Sequence, residues 1–233
     1  MPSDPTYDTV AATGGQLGDD RAPWDLNPPV DPFARWAEIA DGSGGAAAYQ
    51  RRFDELEARG VDIHGEARLI ASLVGPPARI LDAGCGTGRV AAELAQLGYR
   101  CTGVDADLEM IRFARYRDPS SHYIHADLSE LYLRSQAFEA VVLAGNVIPL
   151  LAPGALIPAV QRIANHTTSH GIVVAGFGLD PAHLPPQCPV TSLADYDAAC
   201  SAAGLVLIDR WSTWNRAPWE PEAGYAVSVH RRR

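Results

Sequence analysis

The sequence predicts a doubly wound α/β fold, an open sheet with helices on both faces, and three observations support this. Residues 79–105 have the pattern of a buried strand, a glycine-rich turn, a helix and a second strand. Strand and helix patterns continue to alternate until five β–α units are complete. Residues 205–233 carry two strand patterns around a turn, which indicates a closing β-hairpin. Such alternation is typical of a parallel sheet, and the hairpin brings the number of strands to seven.

The first strand and the turn after it are the centre of this pattern. Residues 79–83 are mostly apolar, as in a strand buried on both faces. Residues 84–88 are Gly-Cys-Gly-Thr-Gly, and glycine lets a ligand lie against the backbone. A helix begins at Arg89, and its N-terminal amides favour a negative group at the turn. The second strand, residues 100–104, ends at Asp105, whose carboxylate can accept hydrogen bonds from both ribose hydroxyls of a nucleoside.

Two kinds of nucleoside cofactor are consistent with a glycine-rich turn of this kind. The dinucleotide fingerprint GxGxxG would need a glycine where the chain has Arg89. The chain instead reads D-x-G-x-G-x-G, with Asp82, Gly84, Gly86 and Gly88. This run resembles motif I of the class I S-adenosylmethionine (SAM)-dependent methyltransferases. The resemblance implies SAM as the cofactor, and an acid at Asp82 suits the ammonium of a ligand that has no phosphate. A nicotinamide-dependent oxidoreductase is the alternative that Arg89 disfavours.

The resemblance also implies a complete layout and further cofactor contacts. The fold would be a Rossmann-like seven-stranded sheet with its last strand inserted antiparallel, under an N-terminal helical lid. In the family, an acid after the third strand faces the adenine amino group and the next amide faces a ring nitrogen, and Asp127 and Leu128 match this pattern. Asn146, after the fourth strand, either contacts SAM or substrate or caps its turn. The predicted cofactor-binding residues are Tyr49, Asp82, Ala83, Gly84, Gly86, Gly88, Asp105, Ala106, Asp127, Leu128, Ala144 and Asn146.

The chain divides by composition into three parts. Residues 1–30 are rich in Pro and Asp and predict a flexible tail. The resemblance implies a methyltransferase domain at residues 31–233, in which a helical preface at 31–75 forms the lid and residues 76–233 form the SAM-binding core. Strands are predicted at residues 79–83, 100–104, 121–126, 138–144, 170–177, 205–214 and 225–230. Preface helices are predicted from Asp31, at about residues 46–59 and at residues 66–73.

Composition excludes several classes of function. The 233 residues carry a net charge of −9, and the only basic run is the terminal Arg231-Arg232-Arg233, which argues against a nucleic-acid partner. All 19 basic residues are Arg, so neither a Schiff-base lysine nor a P-loop lysine is present. The four Cys lack CxxC spacing and predict reduced thiols in a cytoplasmic protein. No signal peptide and no apolar run of membrane-spanning length is found, and no oligomeric state is predicted.

Methyl transfer from a sulfonium needs alignment of the reactants more than any particular side chain. His64, in a break between two preface helices, is a candidate general base for an alcohol or phenol acceptor, and a packing role at the helix junction is the alternative. The other histidines lack metal-ligand spacing, so no metal is predicted. The main hypothesis is a SAM-dependent methyltransferase that acts on a small molecule. The alternative is a non-catalytic SAM-binding regulatory or assembly protein.

Overall fold

Seven strands form one mixed sheet in the computed structural model, which describes residues 45–233. The strand order is β3-β2-β1-β4-β5-β7-β6, and β7 runs antiparallel to both of its neighbours. This confirms the predicted doubly wound sheet and its antiparallel last strand. The strands are β1 (Arg79–Ala83), β2 (Arg100–Asp105), β3 (His122–His125), β4 (Phe138–Leu143), β5 (Thr167–Gly178), β6 (Leu205–Trp211) and β7 (Tyr225–Arg232).

Seven α-helices and one 3₁₀ turn at Pro181–His183 connect and cover these strands within the described range. Side-chain caps begin two of the helices: the side chain of Asp107 accepts the backbone amides of Glu109 and Met110, and that of Ser192 accepts the amide of Asp195. The helices are α1 (Gly45–Ala58), α2 (Gly65–Leu73), α3 (Arg89–Gln96), α4 (Leu108–Arg117), α5 (Val147–Leu150), α6 (Leu156–His166) and α7 (Leu193–Ala202).

Both faces of the sheet are buried, which is why its central strands are apolar runs rather than alternating patterns. On one face Leu143, Ile163 and Tyr196 belong to a core cluster beneath α6 and α7. On the other face Ile70 and Leu94 belong to a second cluster beneath α2 and α3. The packed centre of the sheet therefore acts as a scaffold that positions the loops at the strand ends.

The parallel strands β1, β2 and β4 end at the same edge of the sheet. In the register, Ala83 pairs with Val104, and Asp82 pairs with Val142. The strand order changes direction between β1 and β4, because β2 continues on one side of β1 and β4 begins the other side. Ligands of open α/β sheets bind in the crevice at such a switch point.

Some strand ends differ from the prediction because they depend on distant partners. β5 begins at Thr167, where a bulge lets that residue pair with Phe138, three residues before the predicted start. β6 ends at Trp211 because the amide of Ser212 donates to the carbonyl of Ala217, at 3.0 Å, and closes a turn. The predicted tail at residues 1–30 and the first preface helix lie outside the described residues. None of the helices within residues 45–233 has both the length and the apolarity needed to cross a membrane.

Candidate active site

A cleft of about 870 Å³ opens at the carboxyl ends of β1, β2 and β4. Its base is the glycine turn that follows β1. Gly84 has a φ of +79°, and a Cβ there would lie 2.4 Å from Cγ2 of Val147, so no other residue fits without displacing α5. Gly86, at φ +53°, also lines the cleft, and a Cβ there would lie 3.6 Å from Cε1 of Tyr49.

Asp105 stands at the end of β2 on one side of the turn. Its Oδ2 accepts the amide of Gly86 at 2.7 Å, and its Oδ1 accepts the amide of Asp107 at 2.9 Å. Burial raises the pKa of this carboxyl, while the two amides act in the opposite direction. Each oxygen of a carboxylate has two lone pairs, so both oxygens can still accept a hydroxyl from a ligand.

The far end of the cleft is lined by Ala106, Asp127 and Leu128, which follow β2 and β3. The Oδ1 of Asp127 accepts the amide of Ser129 at 2.6 Å, which fixes the orientation of the carboxylate. Met110 of α4 lines the same wall and was not among the predicted cofactor-binding residues.

Three of the predicted cofactor residues lie beneath the turn and do not line the cleft. Asp82 is 1% exposed and accepts the amide of Ala91 at 3.1 Å, which ties β1 to α3. Burial raises the pKa of its carboxyl to about 7, although the Ala91 amide lowers it. Ala83 is fully buried, and Gly88 has a φ of +79° with Tyr123 packed where its Cβ would be. Their direct contact with a cofactor stays a prediction.

The helix α1 lies over the turn through a buried polar contact. Thr87, in the turn, donates its hydroxyl to Oε1 of Gln50 at 2.7 Å. Tyr49, the preceding residue of α1, lines the cleft, and burial raises the pKa of its phenol. Arg52 lines the same wall one turn further along the helix.

Arg89, the residue that breaks the dinucleotide fingerprint, fastens both preface helices to the turn. Its guanidinium donates to the two carboxylate oxygens of Glu66 at 2.6 and 3.0 Å, and it also bonds the carbonyl of Ile63. It stacks 4.6 Å from the centre of the Phe53 ring on α1. The Arg89 and Glu66 side chains are only 11% and 15% exposed. Burial alone would lower the pKa of Arg89, but Glu66 raises it above its usual value.

Asn146 follows β4 with a φ of +69° and lines the cleft. Its Oδ1 accepts the amide of Gly178 at 2.7 Å, and its Nδ2 donates to the carbonyl of His183 at 3.2 Å. The side chain therefore holds the loop after β5 against the end of β4. It makes no hydrogen bond that caps its own turn, and its contact with SAM or substrate stays a prediction.

His64 does not lie among the residues that line the cleft. It precedes α2, with its Nε2 3.6 Å from Glu57 and its Nδ1 3.5 Å from Glu93. Its position between two carboxylates, at the junction of α1, α2 and α3, fits the packing alternative. Its role as a general base stays a prediction without support from this position.

The outer wall of the cleft is a part of the site that the sequence reasoning missed. The loop after β5 is rich in proline and has no periodicity that would place it. An available signal was Asp180 followed by Pro181, the pattern of a capped helical turn. These outer-wall residues are Leu150, Leu151, Ala152, Ala182, His183, Leu184, Pro185, Pro186 and Gln187.

Comparison with known proteins identifies the family. A sequence model of the methyltransferase domain matches residues 80–171. The solved structure of a TehB-like SAM-dependent methyltransferase from Corynebacterium glutamicum is 31% identical, with a TM-score of 0.73 over 81% of this chain and 98% of that one. The chain belongs to the SAM-dependent methyltransferases.

Two curated relatives of this methyltransferase act on different acceptors. A malonyl-[acyl-carrier protein] O-methyltransferase from Enterobacter lignolyticus is 35% identical over 49% of this chain and 42% of its own length. A dTDP-3-amino-3,6-dideoxy-alpha-D-glucopyranose N,N-dimethyltransferase from Streptomyces fradiae is 32% identical over 62% of this chain and 60% of its own length. The matches thus cover less than two thirds of either relative.

The cleft of this methyltransferase fits SAM. The backbone of Gly84 and Gly86 lines the cleft where a ligand chain would lie, and the Asp105 oxygens suit a ribose. Tyr49 and Arg52 offer a hydroxyl and a positive charge to a carboxylate. Across residues 45–233, no group of three His, Cys, Asp or Glu side chains is arranged to hold a metal ion, and the absence of a metal stays a prediction.

Proposed function

We propose that this methyltransferase transfers the methyl group of SAM to a small-molecule acceptor bound in the outer half of the cleft. The observation that carries the proposal is the cleft itself. Its volume of about 870 Å³ lies in the range of roughly 300–1,000 Å³ that is usual for small-molecule sites. One end carries the predicted cofactor contacts, and the other is walled mainly by Leu150, Leu151, Leu184, Pro185 and Pro186. An acceptor with an apolar body fits this wall.

The residues of the chain would act mainly by positioning. Asp105 and the glycine turn hold the nucleoside, and Tyr49 closes over the turn from the lid side. SAM supplies a methyl group on a sulfonium, and the apolar outer wall would exclude water from it. Holding the reactants in line in a dry site accounts for much of the rate of such a displacement.

The name of one relative indicates a sugar nucleotide methylated on nitrogen, which supports a small-molecule acceptor. The name of the other indicates a malonyl group on an acyl-carrier protein, methylated on oxygen. The net charge of −9 and the two acids that line the cofactor end, Asp105 and Asp127, disfavour a nucleic acid as acceptor. A positive charge on the cleft wall at Arg52 suits a carboxylate, from SAM or from the acceptor.

The test is to incubate the purified protein and SAM labelled in the methyl group with an extract of its source cells, and then to separate acid-soluble compounds from precipitated macromolecules. We expect label in the acid-soluble fraction, beyond a control that contains the extract alone. Label confined to the precipitated protein or nucleic acid would contradict a small-molecule acceptor. Tight SAM binding with no enzyme-dependent label in either fraction would favour the non-catalytic alternative.

A further inference from the structure

His183 and Asp180 form a hydrogen-bonded pair at the outer wall of the cleft. Nδ1 of His183 lies 2.8 Å from Oδ1 of Asp180. The same carboxylate oxygen accepts the backbone amides of Ala182 at 2.9 Å and of His183 at 3.1 Å. The carboxylate is therefore fixed by the 3₁₀ turn, and it in turn fixes the imidazole.

Two glycines make room for this pair. A Cβ on Gly224 would lie 2.5 Å from Oδ2 of Asp180 and 2.5 Å from Cε1 of His183. A Cβ on Gly178 would lie 2.5 Å from the carbonyl oxygen of His183. Asn146 holds that carbonyl from the opposite side. The pair is thus packed between β5 and the start of β7 and is not a chance contact on a free loop.

The pair leaves one ring nitrogen for a ligand. An ionised carboxylate can only accept, so the contact with Asp180 places a hydrogen on Nδ1 and the lone pair on Nε2. The described residues provide no partner for Nε2, the His183 side chain is 45% exposed, and the residue lines the cleft. A base oriented by a carboxylate in this way is a recurring catalytic arrangement.

We propose that His183 is the general base of the transfer, oriented by Asp180, and that the acceptor group is a hydroxyl. This inference rests on the proposed function and names the acceptor chemistry. Nε2 takes the hydroxyl proton while the oxygen bonds to the methyl carbon. The carbon–sulfur bond breaks, and its electron pair stays on the sulfur, which becomes a neutral thioether. The imidazolium then releases the proton to water, so the step needs no further reactant.

A hydroxyl acceptor explains why a base is built here. A neutral alcohol or phenol is a weak nucleophile until its proton is removed, whereas a neutral amine attacks without such help. The charged group that faces His183 among the described residues is Asp180. Asn146 and Gly224, from the other elements packed against it, carry no charge. The hydrogen bond from His183 lowers the pKa of Asp180, which keeps the carboxylate ionised.

The test compares His183→Gln, Asp180→Asn and the control His122→Gln, an exposed histidine on β3, using paired aromatic acceptors that differ only in a hydroxyl or an amino group. We expect His183→Gln to lower turnover of the hydroxyl acceptor by about 100-fold or more, to remove the acid limb of its kcat–pH profile and to leave S-adenosylhomocysteine affinity unchanged. His122→Gln should behave as the wild type.

Equal turnover of the hydroxyl acceptor by the wild type and His183→Gln would overturn this inference and leave the proposed function standing. No transfer by the wild type to either acceptor would count against the proposed function.

A second measurement needs no acceptor. Nitrogen chemical shifts of the His183 ring, recorded with S-adenosylhomocysteine bound, should show hydrogen on Nδ1 and a bare Nε2, and Asp180→Asn should change this tautomer. Hydrogen on Nε2 in the neutral wild-type ring would overturn the assignment of the base.

Discussion

At the scale of single residues, Asp105 carries the strongest expectation for cofactor binding. Asp105→Ala removes the predicted acceptor for both ribose hydroxyls and leaves the amide of Gly86 without its partner. Hydrogen bonds to a charged group contribute about 1.5–3 kcal/mol each, so we expect SAM affinity to fall roughly 100-fold or more. Equilibrium binding of labelled SAM measures this change.

Asp107→Ala is the matched control for that variant. It removes the side-chain cap of α4, which should cost about 1 kcal/mol of unfolding free energy. It keeps the backbone amide that Asp105 accepts, so SAM affinity should stay close to that of the wild type. Equal losses of affinity in both variants would mean that Asp105 acts only through the fold of the turn.

His64 is a second test at this scale. Removal of a general base should lower turnover by about 100-fold or more. The ring lies between Glu57 and Glu93 and outside the cleft, so we now expect His64→Gln to leave turnover unchanged. A large loss of turnover with unchanged SAM affinity would restore the role that the sequence suggested.

At the scale of elements, Arg89 joins the preface helices to the glycine turn, α2 through the carboxylate of Glu66 and α1 through the ring of Phe53. Arg89→Met leaves the carboxylate of Glu66 nearly buried and unpaired, which for a buried pair costs about 3–5 kcal/mol. Adding Glu66→Leu removes the unpaired charge, so the double variant should recover part of the loss. Urea unfolding of the four proteins measures this cycle. A loss below about 1 kcal/mol in Arg89→Met would place the pair among ordinary surface ion pairs.

This contact shows what the sequence could and could not predict. Arg89 was read correctly as the residue that breaks the dinucleotide pattern, because that depends only on local spacing. Its partner Glu66 lies 23 positions earlier and is set by how α2 packs on the turn. The same holds for Asn146, whose partners Gly178 and His183 lie 32 and 37 positions away. Local patterns predicted the elements and the turn, whereas contacts between elements needed the fold.

At the scale of the whole molecule, the stability of the ligand-free protein should depend on pH through Asp82. Burial raises the pKa of this carboxyl from its usual value of 3.8 to about 7. The folded state therefore binds the proton more tightly than the unfolded state. The resulting stabilisation is full below about pH 4 and is lost as the pH rises through about 7.

Asp82→Asn removes this dependence. From pH 5 to pH 7, the unfolding free energy of the wild type should fall relative to that of the variant by on the order of 2 kcal/mol. Urea unfolding at several pH values measures the difference. Parallel curves for the two proteins would show that the carboxyl of Asp82 titrates in its ordinary range.

The doubly wound sheet was predictable at this scale because the alternation of strands and helices leaves few topologies, and its antiparallel last strand was implied by the resemblance to the methyltransferases. The outer wall of the cleft was not predictable, because a proline-rich loop has no periodicity that places it against α5. The pair of His183 and Asp180 becomes visible only when Gly178 and Gly224 are seen on either side of it.

The central claim is that the cleft at the glycine turn binds SAM as the methyl donor, and calorimetric titration with S-adenosylhomocysteine, with NAD as the control ligand, tests it most directly. The account predicts saturable one-to-one binding of S-adenosylhomocysteine that Asp105→Ala weakens severely, and no binding of NAD. Binding of NAD in place of S-adenosylhomocysteine, or affinity that is unchanged in Asp105→Ala, would contradict it.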